Sequence, residues 1–177
     1  CGGIHGLVSE SEWTGVPVRY LLEEAGIRSE GSWVIADGAD AARMARSIPV
    51  QKLFDDAIIA LYQNGEPLRS DNGYPMRLFL PGWEGNASIK WLQNLVVTNQ
   101  PAYSKDETSK YTDRDSDGRA AMFTFEMGVK SVITSPSLQL DMGPHGVYQV
   151  SGLAWSGAGR IKSVEVSADG GKTWALA

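Results

Sequence analysis

The sequence predicts an α+β fold in two parts: a mixed helix-and-strand domain, then a small β-sandwich of the immunoglobulin kind. Three observations support this division. Helical and strand patterns follow one another as far as Thr98. Residues 101–120 are polar and rich in turn formers. From Ser131 the chain reads as short alternating strands separated by turn signals, which is the spacing of a β-sandwich.

The first helix is predicted within residues 13–26, W-T-G-V-P-V-R-Y-L-L-E-E-A-G. The stretch begins with a predicted turn, and Pro17 suits the first turn of a helix. Leu21 and Leu22 belong to its apolar face, and Gly26 is a natural C-terminal stop. The sequence therefore predicts one short amphipathic helix from about Pro17.

A second short helix and four strands complete the first part. The helix is predicted from Val50, after the S-I-P stretch. An acidic turn, D-G-A-D, follows the first strand, and N-G-E-P and D-N-G mark later turns. The predicted strands cover residues 33–36, 57–62, 75–80 and 91–98.

The polar stretch at 101–120 predicts a long surface connection, and loops of that length usually carry function or are disordered. Domain boundaries are accordingly predicted at 1–105, 106–130 for the connection, and 131–177. The chain closes on a strand, a hairpin turn at Asp169 to Gly171 and a return strand that stops at once. We therefore expect it to be an internal piece of a longer protein.

Composition and charge exclude several classes of protein. The 177 residues carry a formal net charge of −5 without a basic cluster, which argues against nucleic-acid binding. No apolar run approaches the roughly 18 residues of a membrane span. The single cysteine, Cys1, excludes an internal disulfide. His5 and His145 form no chelating motif, and no G-x-S-x-G elbow occurs, so neither zinc nor that hydrolase motif is indicated.

An acidic run, D-R-D-S-D-G at 113–118, resembles a calcium-binding loop in composition. It lacks the glutamate that an EF-hand places at its twelfth position, and no helix pair flanks it. A solvated turn is therefore the preferred interpretation.

Residues 81–91, P-G-W-E-G-N-A-S-I-K-W, form the clearest candidate for a binding site. Glycines let a ligand approach the backbone, adjacent N–H groups can face an anion, and Lys90 adds a positive charge. Arg77 lies on the neighbouring predicted strand. The two cations suit a phosphate-bearing cofactor. The alternative is a solvated lysine whose stem covers apolar surface, and spacing alone leaves both open.

The sequence resembles the sulfite oxidase family of molybdenum enzymes. The matching stretches, in family order, are H-G-L-V with W-T-G-V-P, R-S-I-P, N-G-E-P-L-R, G-Y-P-M-R, P-G-W-E-G-N with I-K-W-L, E-T-S-K-Y-T-D, K-S-V-I-T-S-P, G-L-A-W-S-G-A-G-R and V-S-A-D-G-G-K-T-W. Each alone is weak, whereas the ordered set is specific. Within the family the sequence looks most like the sulfane dehydrogenase of bacterial sulfur oxidation. Asn72, where sulfite oxidases carry a histidine, favours that branch.

The resemblance implies a molybdopterin-binding domain, present from its middle onward, followed by the first strands of an immunoglobulin-like dimerisation domain. It implies that a molybdenum–molybdopterin cofactor is held by Asp40, Asn72, Arg77, Ser88, Ile89 and Lys90. Tyr111 would position the substrate oxyanion and manage protons, and Arg160 would join the substrate pocket from the second domain. No residue is assigned to the metal, because the family's molybdenum cysteine is expected upstream of Cys1.

The implied activity is oxidation of sulfane sulfur or sulfite in the periplasm, with electrons passed to a cytochrome c subunit. The substrate would be a sulfur oxyanion or a carrier-bound sulfane, and the assembly a homodimer or heterotetramer. The piece alone is expected to be inactive because it lacks the metal ligand. The alternative is a non-catalytic relative that dimerises or binds partners. A sulfoxide reductase of the superfamily is disfavoured, because such enzymes lack the second domain.

Overall fold

The structure is a computed structural model that describes residues 9–136, 143 and 146–177. Its backbone contacts define two compact units, with Ser11–Glu126 in the first and Met127–Ala177 in the second. The first unit mixes helices and sheets, whereas only strands are found in the described part of the second. The predicted α+β class is confirmed. Cys1, His5 and His145 lie outside the described residues.

The first sheet is antiparallel and has one strand at its centre. Its strands are β1 (Trp13–Pro17), β4 (Ile58–Gln63), β5 (Glu66–Pro67) and β6 (Arg77–Phe79), with β4 pairing with each of the other three. The turn predicted at 13–16 was wrong, since these residues form β1. Gly15 allows this because a Cβ there would lie 2.0 Å from the carbonyl oxygen of Ile59, so only glycine lets the strands pair this closely.

Two helices follow prolines, as predicted. Helix α1 covers Val18–Ala25 and α2 covers Val50–Asp55. Helix α1 ends at Gly26, which has the left-handed φ of 66° and donates its N–H to the Glu23 carbonyl. One detail of the predicted apolar face was wrong, because Leu21 is 47% exposed and Leu22 alone of the pair is buried.

The second sheet contains β3 (Ala45–Pro49), β2 (Trp33–Gly38) and β7 (Leu92–Thr98) in that spatial order, and all pairs are antiparallel. Strand β2 is two residues longer than predicted. Asp37 and Gly38 were placed in an acidic turn, but they pair with Asn94 and Leu92 of β7. The turn itself follows at 39–42.

One apolar core joins both sheets to both helices. Its buried members are Val18, Leu22, Val34, Ala36, Ile48, Leu53, Ala57, Ile59, Leu78, Leu80, Ala87 and Ile89. Each fully buried valine, leucine or isoleucine side chain contributes about 1.5–3 kcal/mol to stability. The core therefore holds the two sheets in a fixed arrangement around the candidate site.

The predicted connection has secondary structure of its own. Helix α3 covers Lys105–Ser109, and β8 (Thr112–Arg114) pairs with β9 (Ala120–Met122) as a hairpin. A capping box starts α3: the Ser104 hydroxyl accepts the Glu107 N–H, and the Glu107 carboxylate accepts the Ser104 N–H. The S-x-x-E signal for this helix was present in the sequence.

The acidic run at 113–118 that resembled a calcium loop covers the end of β8 and the hairpin turn after it. The Asp115 carboxylate accepts backbone N–H groups from Asp117 (3.0 Å) and Arg119 (2.7 Å). These bonds fold the exposed run back onto its own backbone, as aspartate side chains do in turns.

Two antiparallel strand pairs are found in the part of the second unit that the structure describes. Strand β10 (Lys130–Ser135) pairs with β11 (Ser151–Trp155), and β12 (Glu165–Val166) pairs with β13 (Ala175–Leu176). The strands were predicted here, although β11 and β12 are shorter than their alternating stretches. None of the helices in the described ranges is long and apolar enough to cross a membrane.

Candidate cofactor-binding and active site

Residues 88–92, here the Lys90 segment, run alongside β6. The N–H of Leu78 donates to the Ile89 carbonyl (2.9 Å), and the N–H of Leu92 donates to the Met76 carbonyl (3.0 Å). Arg77 lies between these two bonds on β6. The backbone pairing therefore brings the two predicted cations, Arg77 and Lys90, onto neighbouring chain segments.

Two glycines let other chain segments press against Lys90. A Cβ on Gly38 would lie 2.7 Å from the Lys90 carbonyl oxygen. A Cβ on Gly73 would lie 3.0 Å from the Lys90 Cα, and Gly73 also has a φ of 108°. Both positions therefore require glycine, for close approach in each case and for backbone conformation at Gly73.

The Lys90 ammonium is anchored rather than free in solvent. Its Nζ donates to the Asp71 carbonyl (2.6 Å) and lies 5.6 Å from the centroid of the Trp91 ring. An ammonium has three donors, and this bond uses one. No carboxylate forms an ion pair with Lys90 within the described ranges. Its charge is thus held in place and available to an anion.

Trp91 has a left-handed backbone, with a φ of 51°. This conformation costs a bulky residue about 1–3 kcal/mol, and such strain concentrates at functional sites. A hydrogen bond from the Ala39 N–H to the Trp91 carbonyl (2.9 Å) holds it. Trp91 and Asp40 line one cleft of about 450 Å³, together with Ala39, Tyr74, Pro75, Leu92 and Gln93.

Asp40 and Asn72 occupy turns on the two sides of the Lys90 segment. The Asp40 carboxylate is half-buried and accepts one long bond, from the Met44 N–H at 3.4 Å, so most of its acceptor capacity remains. The Asn72 amide donates to the Gln63 side-chain oxygen at 2.5 Å. That bond fixes the orientation of the amide and leaves the Asn72 oxygen as an acceptor.

Arg77 is the strongest indication of an anion site. Its guanidinium lies 5.0 Å from the Trp13 ring centroid, and Trp13 stacks on Phe79 at 4.7 Å. The Nε atom is buried and has no hydrogen-bond partner among the described residues. Burial lowers the pKa of Arg77 below its ordinary value, and the group stays cationic at neutral pH. A buried donor left unpaired is costly, so a phosphate here would satisfy it.

Ser88 and Ile89 use their side chains within the protein. The Ser88 hydroxyl accepts the Leu80 N–H (3.1 Å), and the Ile89 side chain belongs to the apolar core. Any contact of these two residues with a cofactor would therefore involve the backbone. Their side chains hold the Lys90 segment in register with β6.

Tyr111 follows α3 and lies against a buried arginine that the sequence interpretation did not assign. The Arg46 guanidinium is 4.7 Å from the Tyr111 ring centroid. Arg46 also donates to the Asn86 side-chain oxygen (2.5 Å) and lies 3.5 Å from a Glu107 carboxylate oxygen. The sequence feature that could have identified Arg46 is the arginine of the R-S-I-P stretch, a charge next to apolar residues.

Arg160 belongs to the second unit and follows β11 in an irregular, exposed segment. Its role in the substrate pocket stays a prediction. The structure thus places Arg77 on the strand beside the Lys90 segment, and Asp40 and Asn72 in turns near it that line separate clefts. Arg46 contacts both Tyr111 and Asn86, which precedes that segment.

Two family models match the chain. The oxidoreductase molybdopterin binding domain matches residues 2–105, and the Mo-co oxidoreductase dimerisation domain matches residues 121–177. Both domains that the sequence resemblance implied are therefore identified, and the resemblance is confirmed.

Known proteins with whole-chain similarity include sulfite oxidase from Gallus gallus, 34% identical over 97% of this chain, and nitrate reductase [NADH] 2 from Phaseolus vulgaris, 33% identical over 94%. The crystal structure of the sulfane dehydrogenase SoxCD from Paracoccus pantotrophus matches with a TM-score of 0.90 and 51% identity over 94% of this chain. The chain spans 41%, 22% and 43% of these three proteins, respectively.

These matches imply a molybdenum cofactor, and the unpaired donor of Arg77 and the anchored charge of Lys90 fit its phosphate. The chain therefore belongs to the sulfite oxidase family of molybdopterin-binding oxidoreductases.

Proposed function

We propose that the whole protein oxidises a reduced sulfur compound, sulfane sulfur or sulfite, by two electrons at a molybdenum cofactor. The observation that carries the proposal is the 51% identity to a sulfane dehydrogenase over 94% of this chain. The geometry supports it, because the buried Arg77 donor and the anchored Lys90 ammonium suit a cofactor phosphate.

Arg77 and Lys90 would bind the phosphate through charge-assisted hydrogen bonds, which are about twice as strong as neutral ones. Asp40 and Asn72 would accept and donate hydrogen bonds at the polar edges of the cofactor, with backbone contacts from Ser88 and Ile89. When bound, the cofactor supplies the two-electron redox centre and the oxygen chemistry. The work of this chain is then to hold that group and orient an anion beside it.

Tyr111 and Arg160 would act on the substrate. The phenol O–H of Tyr111 can donate a hydrogen bond to a sulfur oxyanion and move a proton at that atom. Arg160, if the second domain brings it to the pocket, would add the planar cation that suits an oxyanion. A periplasmic location and a cytochrome c acceptor belong to the same proposal, as does a homodimer or heterotetramer built through the dimerisation domain.

The test uses the full-length protein, produced with cofactor assembly intact. We expect about one molybdenum per chain and reduction of cytochrome c that depends on sulfite or on a sulfane-carrying thiol. Nitrate is the comparison substrate, since some relatives are nitrate reductases, and we expect no turnover with it. A protein without molybdenum would instead be the non-catalytic, dimerising relative.

The cofactor site has its own test. We expect Arg77→Met to weaken retention of the cofactor about tenfold or more, since hydrogen bonds to charged groups contribute about 1.5–3 kcal/mol. The matched control is Arg28→Met, an exposed arginine after α1. Molybdenum per folded chain is the measurement. Equal molybdenum contents in both variants would show that Arg77 does not hold the cofactor.

A further inference from the structure

A buried ion pair lies beside Tyr111. Arg46 of β3 is 1% exposed, and Glu107 of α3 is fully buried. Replacing such a pair with apolar side chains often preserves or raises stability, so stability alone does not explain why it is present. A better explanation for the pair is that Arg46 and Glu107 hold neighbouring groups in place.

Glu107 ties the helix that precedes Tyr111 to β3. Its carboxylate accepts the Ser47 N–H (2.6 Å), the Ser47 hydroxyl (3.3 Å) and the Ser104 N–H (3.1 Å). The Ser104 hydroxyl in turn donates to the Ala45 carbonyl (2.8 Å). Helix α3 is short, and these bonds determine its position on the sheet.

The backbone of Tyr111 is fixed on both sides. Its own N–H donates to the Asp106 carbonyl (3.1 Å), and the Thr112 hydroxyl donates to the Glu107 carbonyl (2.6 Å). What these bonds leave undetermined is the plane of the Tyr111 ring, and therefore the direction of its hydroxyl.

Arg46 is the group that faces the ring. Its Nε lies 3.5 Å from Glu107 without hydrogen-bond geometry, and its Nη2 is buried with no hydrogen-bond partner among the described residues. The guanidinium carbon is 4.7 Å from the Tyr111 ring centroid. A desolvated guanidinium is attracted to the face of an aromatic ring. The Tyr111 ring is therefore the interaction available to the side of Arg46 that forms no hydrogen bond.

The same guanidinium is also bonded to the cofactor side of the site. Its Nη1 donates to Asn86, in the turn that leads directly into the Lys90 segment, and the Asn86 amide donates to Glu84 (3.1 Å). Arg46 is thus held at two points, by Glu107 on the Tyr111 side and by Asn86 on the cofactor side.

We propose that Arg46 is a positioning residue for Tyr111. Its guanidinium, held by Glu107 and Asn86, fixes the plane of the Tyr111 ring and so directs the hydroxyl relative to the Lys90 segment. This inference rests on the proposed role of Tyr111 at the substrate.

The test compares Arg46→Met, Tyr111→Phe and the double variant in the full-length molybdenum-loaded protein. We expect Arg46→Met to lower kcat about 10- to 100-fold with a smaller change in KM, because a misdirected group is costly at the transition state. Phenylalanine has no hydroxyl to direct, so adding Arg46→Met to Tyr111→Phe is expected to change kcat by less than about twofold. Molybdenum content should match the unmodified protein in all variants.

The control is Lys110→Met, which breaks the exposed ion pair between Lys110 and Asp106 next to Tyr111 and should leave kcat unchanged. A second readout is independent of turnover. In protein labelled with 3-fluorotyrosine, the 19F signal of Tyr111, identified by its absence in Tyr111→Phe, should shift or broaden in Arg46→Met and stay unchanged in Lys110→Met.

Equal losses from Arg46→Met in the unmodified protein and in the Tyr111→Phe variant would overturn the proposal, since Arg46 would then act through Asn86 or the fold. An unchanged 19F signal would overturn it as well. If Arg46→Met does not fold, Arg46→Lys is measured in the same way, because lysine keeps the charge near Glu107 but has no planar face. If the protein holds molybdenum but oxidises no sulfur compound, the proposed function fails, while the 19F signal still decides the positioning of Tyr111.

Discussion

The two units differ in how far the side chains of their strands are buried. Every buried residue in the described ranges belongs to the first unit, including the charged Arg46 and Glu107. In the described part of the second unit, the apolar side chains all stay at least partly exposed, Trp174 at 60% and Leu176 at 75% among them.

The difference shows that an alternating pattern predicts a strand but does not predict what covers it. In the first unit, α1 and α2 contribute to the same apolar core as both sheets. The described part of the second unit contains two-stranded pairs, which are marginal in water without further strands or a helix. Stability effects of matched substitutions should therefore be large in the first unit and small in the second.

The largest effect is expected from Glu107→Gln. It leaves Arg46 as a buried cation without its carboxylate, and breaking a buried pair in this way costs about 3–5 kcal/mol. The matched control is Glu165→Gln on the exposed β12, expected to change stability by less than about 0.5 kcal/mol. Denaturant unfolding followed by circular dichroism gives both unfolding free energies. Similar losses in the two variants would show that the two units do not differ in this respect.

The double variant Arg46→Met with Glu107→Leu sharpens this prediction. Because it removes both charges together, it should be less destabilising than Glu107→Gln alone. A loss equal to or larger than that of Glu107→Gln would show that the bonds from Glu107 to Ser47 and Ser104, rather than the unpaired charge, dominate.

The next effect comes from shortening a leucine in each unit. Leu78 on β6 is fully buried, so Leu78→Ala should cost about 2–5 kcal/mol through lost burial and a cavity. Leu153 on β11 is 37% exposed, and Leu153→Ala should cost about 1 kcal/mol or less. Unfolding free energies measured side by side test this, and a cost at Leu153 that matches Leu78 would mean that β11 is covered in the folded protein.

The smallest effect concerns the loop between β12 and β13. Hydrogen bonds from the Thr173 hydroxyl and N–H, and from Ser167, lower the pKa of Asp169 from 3.8 to about 2. Because the pKa is depressed, the stability that the ionised Asp169 carboxylate contributes is fully present above pH 3.8. It is lost as the pH falls towards 2. Asp169→Asn should lack that dependence. NMR titration of the loop from about pH 2 to about pH 5 checks it, and a midpoint near 3.8 would contradict it.

Local signals predicted much of the fold. Helix α1 was found from Pro17 and Gly26, because both residues act on the backbone conformation of their own turn. Strand β1 was missed because Gly15 resembles a turn former. Glycine is needed at this position because the backbone of Ile59, far along the chain, approaches it closely. Helix α3 could have been found, since Ser104 and Glu107 have the spacing of a capping box.

The sequence drew attention to the cations of the candidate site, and it did not indicate the residues that surround them. Lys90 and Arg77 stood out as charges beside glycines and apolar strands, and the family resemblance added Asp40, Asn72 and Tyr111. The ion pair of Arg46 and Glu107 joins residues from distant parts of the chain, and nothing local to either residue indicates the other. Pairings of this kind depend on how sheets and helices pack, which sequence spacing does not encode.

Asn72 has a consequence for the conditions under which the site keeps its charge. An amide neither gains nor loses a proton in the ordinary pH range, whereas a histidine changes charge at about pH 6.5. With its amide bonded to Gln63, Asn72 presents the same uncharged, fixed group in acidic and neutral surroundings. At this position, acidification of the medium adds no positive charge beside the Lys90 segment.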